Sequence, residues 1–231
     1  MKIIKTNCIV LKKKEMKEAD LQVTLFSKDY GKIMATAYGI RKSNKRNVVS
    51  LNPLNEVEIT LSQKNNYYVI KEVEIIKNFN SIIKNINKLE ISLYVLDSID
   101  KIYYMTNENG DFFDKLVEIL AFIDILPCLK KGYKYYVVLS FLRRIMIEQG
   151  IYDIDEISLI LKKEKNENIK KYKEILQISK KNSNMLETQE KFEKYIDFLR
   201  KMVLIFENFI NRNLQVELKI NKFIMEEFYG N

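Results

Sequence analysis

The sequence predicts an α+β protein: a small antiparallel β-barrel followed by a domain built only of helices. Three observations carry this. Residues 1–80 hold short runs in which apolar and polar residues alternate, the period of a strand with one buried face. From about residue 80 the apolar residues recur at three- and four-residue spacing, the period of an amphipathic helix. With 47% of 231 residues apolar, there is enough material for a sizeable core.

The strands come first. "IIKTNCIVLKKK" is a strand candidate, and "KEADL" turns the chain. "LQVTLFS" alternates, and "KDYGK" is a hairpin loop containing glycine. "KIMATAYG" is a third strand closed by Gly39, and a Pro-marked "NPL" turn follows the next loop. "EVEITLSQ" alternates cleanly, "KNN" turns, and "YYVIKEVEII" completes a fifth strand. Five short strands within this length match the OB-fold barrel, and an SH3-like barrel fits the count as well.

The helices occupy the rest of the chain. "SIIKNINKLEISLYVLDSIDKIYYM" reads as one helix of about seven turns, capped at Asn80 or Ser81 and broken by "NENG". "DFFDKLVEILAFIDIL" has an acidic first turn suited to the helix dipole and ends at Pro127. "YKYYVVLSFLRRIMIEQG" is a very apolar helix with Gly150 just past its end. Residues 153–182 predict one or two short surface helices. "LETQEKFEKYIDFLRKMVLIFENFINRN" predicts one long amphipathic helix, and "VELKINKFIMEEFYG" a last helical stretch. The domains expected are therefore 1–80 and 81–231, with 151–190 a variable segment.

Charge narrows the function. The net charge is +8, yet residues 1–50 hold 12 Lys and Arg against 4 Asp and Glu, while the other 181 residues hold 27 of each. A uniform lysine bias does not concentrate charge in this way, and the concentration points to an anionic partner such as nucleic acid or an acidic membrane surface. Lys12, Lys13 and Lys14 end the first strand. Arg41, Lys42, Lys45 and Arg46 lie in "YGIRKSNKR" after the third. Their convergence on one rim would neutralise phosphates and release counterions. Tyr38 adjoins the loop as a stacking candidate, and Tyr67 and Tyr68 are further aromatics of the barrel. The competing reading is a solvated basic loop.

Other chemistry is excluded or weak. With no histidine, His-based acid–base catalysis and His metal ligation are absent. Two cysteines, Cys8 and Cys128, cannot build a four-thiolate zinc site, and they fit a reduced, cytosolic setting. No P-loop pattern occurs. The acidic groups Glu15/Glu18/Asp20 and Asp153/Asp155/Glu156 sit in turns, where carboxylates are ordinary. No apolar run is long enough to span a membrane. Arg143 and Arg144 in "FLRRIMIEQG" are candidates for gripping the free carboxylate of a docked peptide; the competing reading is exposed or internally paired arginines.

The order of motifs resembles a known family. "CIVL", the acidic turn Glu18-Ala19-Asp20, the strand Thr24-Leu25-Phe26, the turn Gly31-Lys32 and the run Ala37-Tyr38-Gly39-Ile40-Arg41-Lys42 resemble the opening of the bacterial recombination mediator family RecO. "LNPLNEVEITL", "FLRRIMIEQG" and "LKINKFI" resemble its later turn, central helix and closing helix. The resemblance implies an N-terminal OB-fold, a C-terminal helical domain, and no catalytic residues or cofactor. It also implies binding of single- and double-stranded DNA, strand annealing, and loading of RecA with RecR and the C-terminal tail of the single-stranded DNA-binding protein. It places Lys32 among the DNA-binding cations, and the protein in the cytoplasm at the nucleoid. Many members carry a four-cysteine zinc module after the central helix; residues 151–190 contain no cysteine or histidine, so that module is missing. Two other classes remain open: a metal-dependent enzyme acting on nucleic acid, and an adaptor whose barrel binds protein.

Overall fold

The computed structural model describes residues 2–16, 18–43, 48–65, 67–105, 110–164, 167–181 and 185–224. The chain is α+β, and among the described residues its strands come first. The strands are β1 (Lys2–Met16), β2 (Asp20–Ser27), β3 (Gly31–Ala37), β4 (Glu56–Lys64) and β5 (Tyr67–Lys77). They close into a barrel in the order β1-β2-β3-β5-β4. Neighbours are antiparallel except β3 and β5, which pair in parallel through Ala35 with Tyr68 and Thr36 with Val69. Five strands closed in this way have the OB topology.

Alternation decides what fills the barrel. Val10, Leu21, Val23, Leu25, Ile33, Ala35, Val57, Ile59 and Leu61 point inward and are fully buried. A bulge between Val10 and Lys12 re-aims the end of β1, so the lysines that follow leave the core. At the bulge β1 bonds to the Pro53 turn instead: Leu54 N–H donates to Val10 O and Val10 N–H to Asn55 O, both at 3.0 Å.

Cys8 sits in this core, and burial pushes its thiol up to about 12. Cys128 is only partly buried. One thiol per folded chain should therefore react with a disulfide reagent at pH 8, and two after denaturation. Two fast thiols in the folded protein would show that the barrel core is open.

Two compact units divide the chain. The first comprises Met1–Leu126 with Phe223–Asn231, and the second Pro127–Lys222. The change of period near residue 80 marks the end of the barrel, but the first unit continues through three helices: α1 (Asn80–Ile83), α2 (Ile86–Ile102) and α3 (Gly110–Ile125). The single long helix expected over 81–105 is thus two. Asn85 causes the break: its side chain accepts from Lys88 N–H at 3.2 Å and starts a new helix. Neither Asn80 nor Ser81 caps α1. The Asp124 carboxylate, on α3, accepts from Ser81 N–H at 2.9 Å and Ile82 N–H at 3.1 Å. Buried Lys88 completes this node through Ser81 Oγ and Asp124 O.

The second unit holds α4 (Lys131–Glu148), α5 (Ile154–Glu164), α6 (Glu167–Lys181), α7 (Met185–Glu193) and α8 (Ile196–Leu214). The long helix expected over 186–213 is interrupted at Lys194 and Tyr195, because the end of α7 serves the start of α4. Gln189 Oε1 accepts from Lys130 N–H at 3.0 Å, and Glu193 Oε1 from Gly132 N–H at 2.8 Å. Gly132 makes the approach possible: a Cβ there would lie 2.4 Å from the Phe192 carbonyl oxygen. Gly132→Ala must push backbone apart and should cost about 1–3 kcal/mol, the usual range for overpacking, in a urea titration. A loss below about 0.5 kcal/mol would show that this junction is loose. The last expected helix is, in its described part, only a 3₁₀ turn, Ile220–Lys222; residues 225–230 of that stretch lie outside the described residues.

Candidate nucleic-acid interface

Register places the N-terminal cations. Lys12 pairs with Thr24 and Thr24 with Met34; Lys14 pairs with Gln22 and Gln22 with Thr36. Directly paired residues point to the same side of a sheet. Two rows, Lys12–Thr24–Met34 and Lys14–Gln22–Thr36, therefore run across the outer face of β1, β2 and β3. Val69 of β5 continues the second row beside Thr36. Met34, Tyr38 and Tyr67 are 42%, 56% and 79% exposed around this face, although Tyr68 turns back to pack on the core.

The opposite end of the same face is covered. Phe26 and Lys32 are cross-strand partners. Phe26 lies edge-on to Tyr103 at 5.2 Å and to Phe112 at 6.4 Å. Lys32 is largely buried: its ammonium donates to Asp100 O and lies 3.4 Å from the Asp100 carboxylate. Lys12, more exposed, reaches the same carboxylate. Lys32 thus stands apart from the rim cations. Asp100, which joins the two lysines, is an ordinary-looking acid in an amphipathic helix; no sequence signal marks it.

At the open end the acidic turn holds the basic one. Gly39, with φ of 63°, turns the chain out of β3, and its N–H donates to Asp20 Oδ1 at 2.7 Å. Arg41 N–H donates to Ala19 O at 3.1 Å. The Arg41 guanidinium lies 2.9 Å from Glu15 Oε2, and the Lys42 ammonium 2.9 Å from Glu18 Oε2. The carboxylates of Glu15, Glu18 and Asp20 are therefore partners of the "GIRK" segment. Among the described residues no group of three or more Cys, Asp and Glu is placed to hold a metal. These surface pairs contribute little to stability and leave the cations available to a stronger anion. Lys13 donates to Asn52 Oδ1 at 2.5 Å, and Lys14 is exposed without an ion pair among the described residues. Lys45 and Arg46 lie outside the described residues.

The two α4 arginines differ. Arg143 is half-buried, with its guanidinium 5.0 Å from the Tyr152 ring centre, a cation–π contact. The Tyr152 hydroxyl lies 3.1 Å from that of Tyr172, whose pKa is driven upward by burial and by this hydrogen bond. Arg144, the next residue, is exposed. Consecutive positions on a helix are about 100° apart, so the pair does not share one direction.

The fold and this face define a class: a five-stranded OB-topology barrel with a basic, aromatic-edged outer face and a helical continuation. Residues 1–79 match the family model described as "Recombination protein O N terminal". Similar curated proteins are called "DNA repair protein RecO". That of Caldanaerobacter subterraneus subsp. tengcongensis is 35% identical over 109 residues, 47% of this chain and 44% of the relative. That of Thermoanaerobacter sp. is 36% identical over 102 residues, 44% and 41% respectively. That of Clostridium novyi is 32% identical over 99 residues, 43% and 39%. The matches span less than half the length of these relatives.

Proposed function

We propose that this protein is a DNA-binding recombination mediator acting in DNA repair, with residues 1–80 as its DNA-binding domain and 81–231 as its helical domain. The observation that supports this best is the open half of the outer barrel face. Lys12, Lys14, Arg41 and Lys42 border it, and exposed Tyr38, Met34 and Tyr67 offer surfaces on which bases stack. Lys45 and Arg46 belong to the same basic segment. Phosphate contacts of this kind bind single and double strands without reading sequence. Annealing follows from charge neutralisation: two polyanions approach at lower cost, and base pairing supplies the specificity. No catalytic group is needed, which separates this reading from a metal-dependent nuclease. The printed names of the family model and the relatives support a place in recombination and DNA repair; RecR, RecA and the single-stranded DNA-binding protein as partners, at the nucleoid, are part of the proposal and rest on the resemblance of the motifs.

The test is annealing of complementary oligonucleotides, with and without a coat of single-stranded DNA-binding protein. Acceleration of both reactions is expected. No acceleration of naked-strand annealing, or metal-dependent cleavage of the strands, would overturn the reading. Docking of an acidic peptide tail on α4 belongs to the same proposal. Arg144→Glu, at an exposed site, is expected to weaken tail-peptide binding and leave naked-DNA binding unchanged; equal peptide affinity removes Arg144 from the site.

A further inference from the structure

We infer that the groove between α5 and α6, lined by Lys162, Lys170 and Lys173, is a second seat for a nucleic-acid backbone; the inference rests on the DNA-binding reading above. Residues 51–231 balance in charge as a whole, but 162–181 hold eight lysines against three glutamates. The whole-chain balance hides this local excess. The groove is open, about 590 Å³ in volume, and its remaining lining is Ile169, Glu174 and Gln177.

Helical spacing builds it. Lys170, Lys173 and Gln177 stand at i, i+3 and i+7 on one exposed face of α6. The other faces are anchored: Ile157 and Leu161 of α5 and Tyr172 and Ile175 of α6 are buried, so the groove is held by packed helices. None of the three lysines makes an ion pair with a described residue. This separates them from Arg41 and Lys42 on the barrel, which already have carboxylate partners. Two nearby acids among the described side chains have partners elsewhere: Glu174 Oε2 accepts from the Tyr195 hydroxyl at 2.9 Å, and Glu167 takes Lys171 at 3.6 Å. An unneutralised row of cations is the electrostatic footprint of a polyanion site.

The lining chooses between polyanions. An acidic-hydrophobic peptide needs an apolar pocket for its side chains and gains most from arginine forks on its carboxylate. Among the described residues this groove offers one aliphatic side chain, Ile169, and no arginine. Lysines act as point charges and suit phosphodiesters spaced along a strand. A chain with one such seat in its helical unit and another on its barrel holds two strands at once, as annealing requires.

The experiment uses the full chain, an immobilised oligothymidylate and a second, labelled oligothymidylate that cannot pair with it. Wild type is expected to capture the second strand on the first. Lys162→Ala/Lys170→Ala/Lys173→Ala should keep first-strand binding and thermal stability but lose second-strand capture. In the wild type, capture should fall with salt more steeply than first-strand binding alone, by up to about 2 in the slope of log K against log salt for three contacts. The corresponding triple Arg variant should restore capture. The inference is overturned if the Ala variant captures as wild type does, or if wild type binds the first strand and never a second. It is overturned equally if a poly-glutamate peptide of the same charge displaces the second strand better than an oligonucleotide, which assigns the groove to acidic peptides. Wild type that binds no strand at all removes the DNA-binding reading itself.

Discussion

Replacing Arg41, Lys42, Lys45 and Arg46 by Ala is expected to flatten the salt dependence of single-strand binding, by up to roughly 3 in the slope of log K against log salt if all four contact phosphates. Affinity should fall further than lost contacts alone require. Arg41 and Lys42 sit 2.9 Å from Glu15 and Glu18, so their removal leaves two uncompensated carboxylates on the face proposed to receive the strand. The loss should be about equal for all base sequences, because phosphate contacts carry no base identity. Removing the acids instead, with Glu15→Gln and Glu18→Gln, should strengthen binding at low salt. Stability should change by less than about 0.5 kcal/mol in the quadruple variant, since Arg41 and Lys42 are surface positions. Fluorescence anisotropy across a salt series measures all of this. A folded quadruple variant with the wild-type slope would show that the segment is only solvated, leaving Lys12, Lys14 and the α5–α6 groove to carry the binding.

The largest expected loss of stability is at Phe26. Its ring is fully buried on the outside of the barrel against Tyr103 and Phe112. Phe26→Ala removes that packing from both the strand and the helical layer, and should cost about 3–5 kcal/mol in a urea titration. The edge-to-face ring pairs account for about 0.5–1.5 kcal/mol each beyond area burial. The Tyr103 hydroxyl and Asp100 lie in the same region, so the variant should also raise hydrogen exchange in α2. A cost below about 1.5 kcal/mol would show that the helices add little to the barrel.

Phe26 shows why part of the fold could not be read from the chain. By alternation it belongs to the outer face of β2, between Thr24 and the end of the strand, where a solvent-facing residue is ordinary. Its cover comes from residues 77 and 86 positions later. Lys32 is similar: its motif marks a turn, and only Asp100 turns it from a rim cation into a helix anchor. The acidic turn Glu18-Ala19-Asp20 was legible as a turn, but its task of holding Gly39, Arg41 and Lys42 was not. For the helices, period identified every stretch that forms α2 to α6, and missed breaks made by hydrogen bonds at Asn85 and at the α7–α8 junction. The α5–α6 groove escaped because lysines in a polar surface helix are expected, and only packing reveals which of them lack partners.

Alternation and spacing along the chain settle the number and order of the strands and the helical character of the stretches that form α2 to α8. Composition settles the placement of the net charge in the first fifth of the chain. Those are local properties, written in neighbouring residues. Which charges cancel is settled by tertiary contacts alone. Gly39 and Asp20 are 19 positions apart, and Lys12 and Asp100 are 88 apart. Such pairs form only when barrel closure and helix packing bring distant backbone together, and no periodicity in the chain encodes that distance.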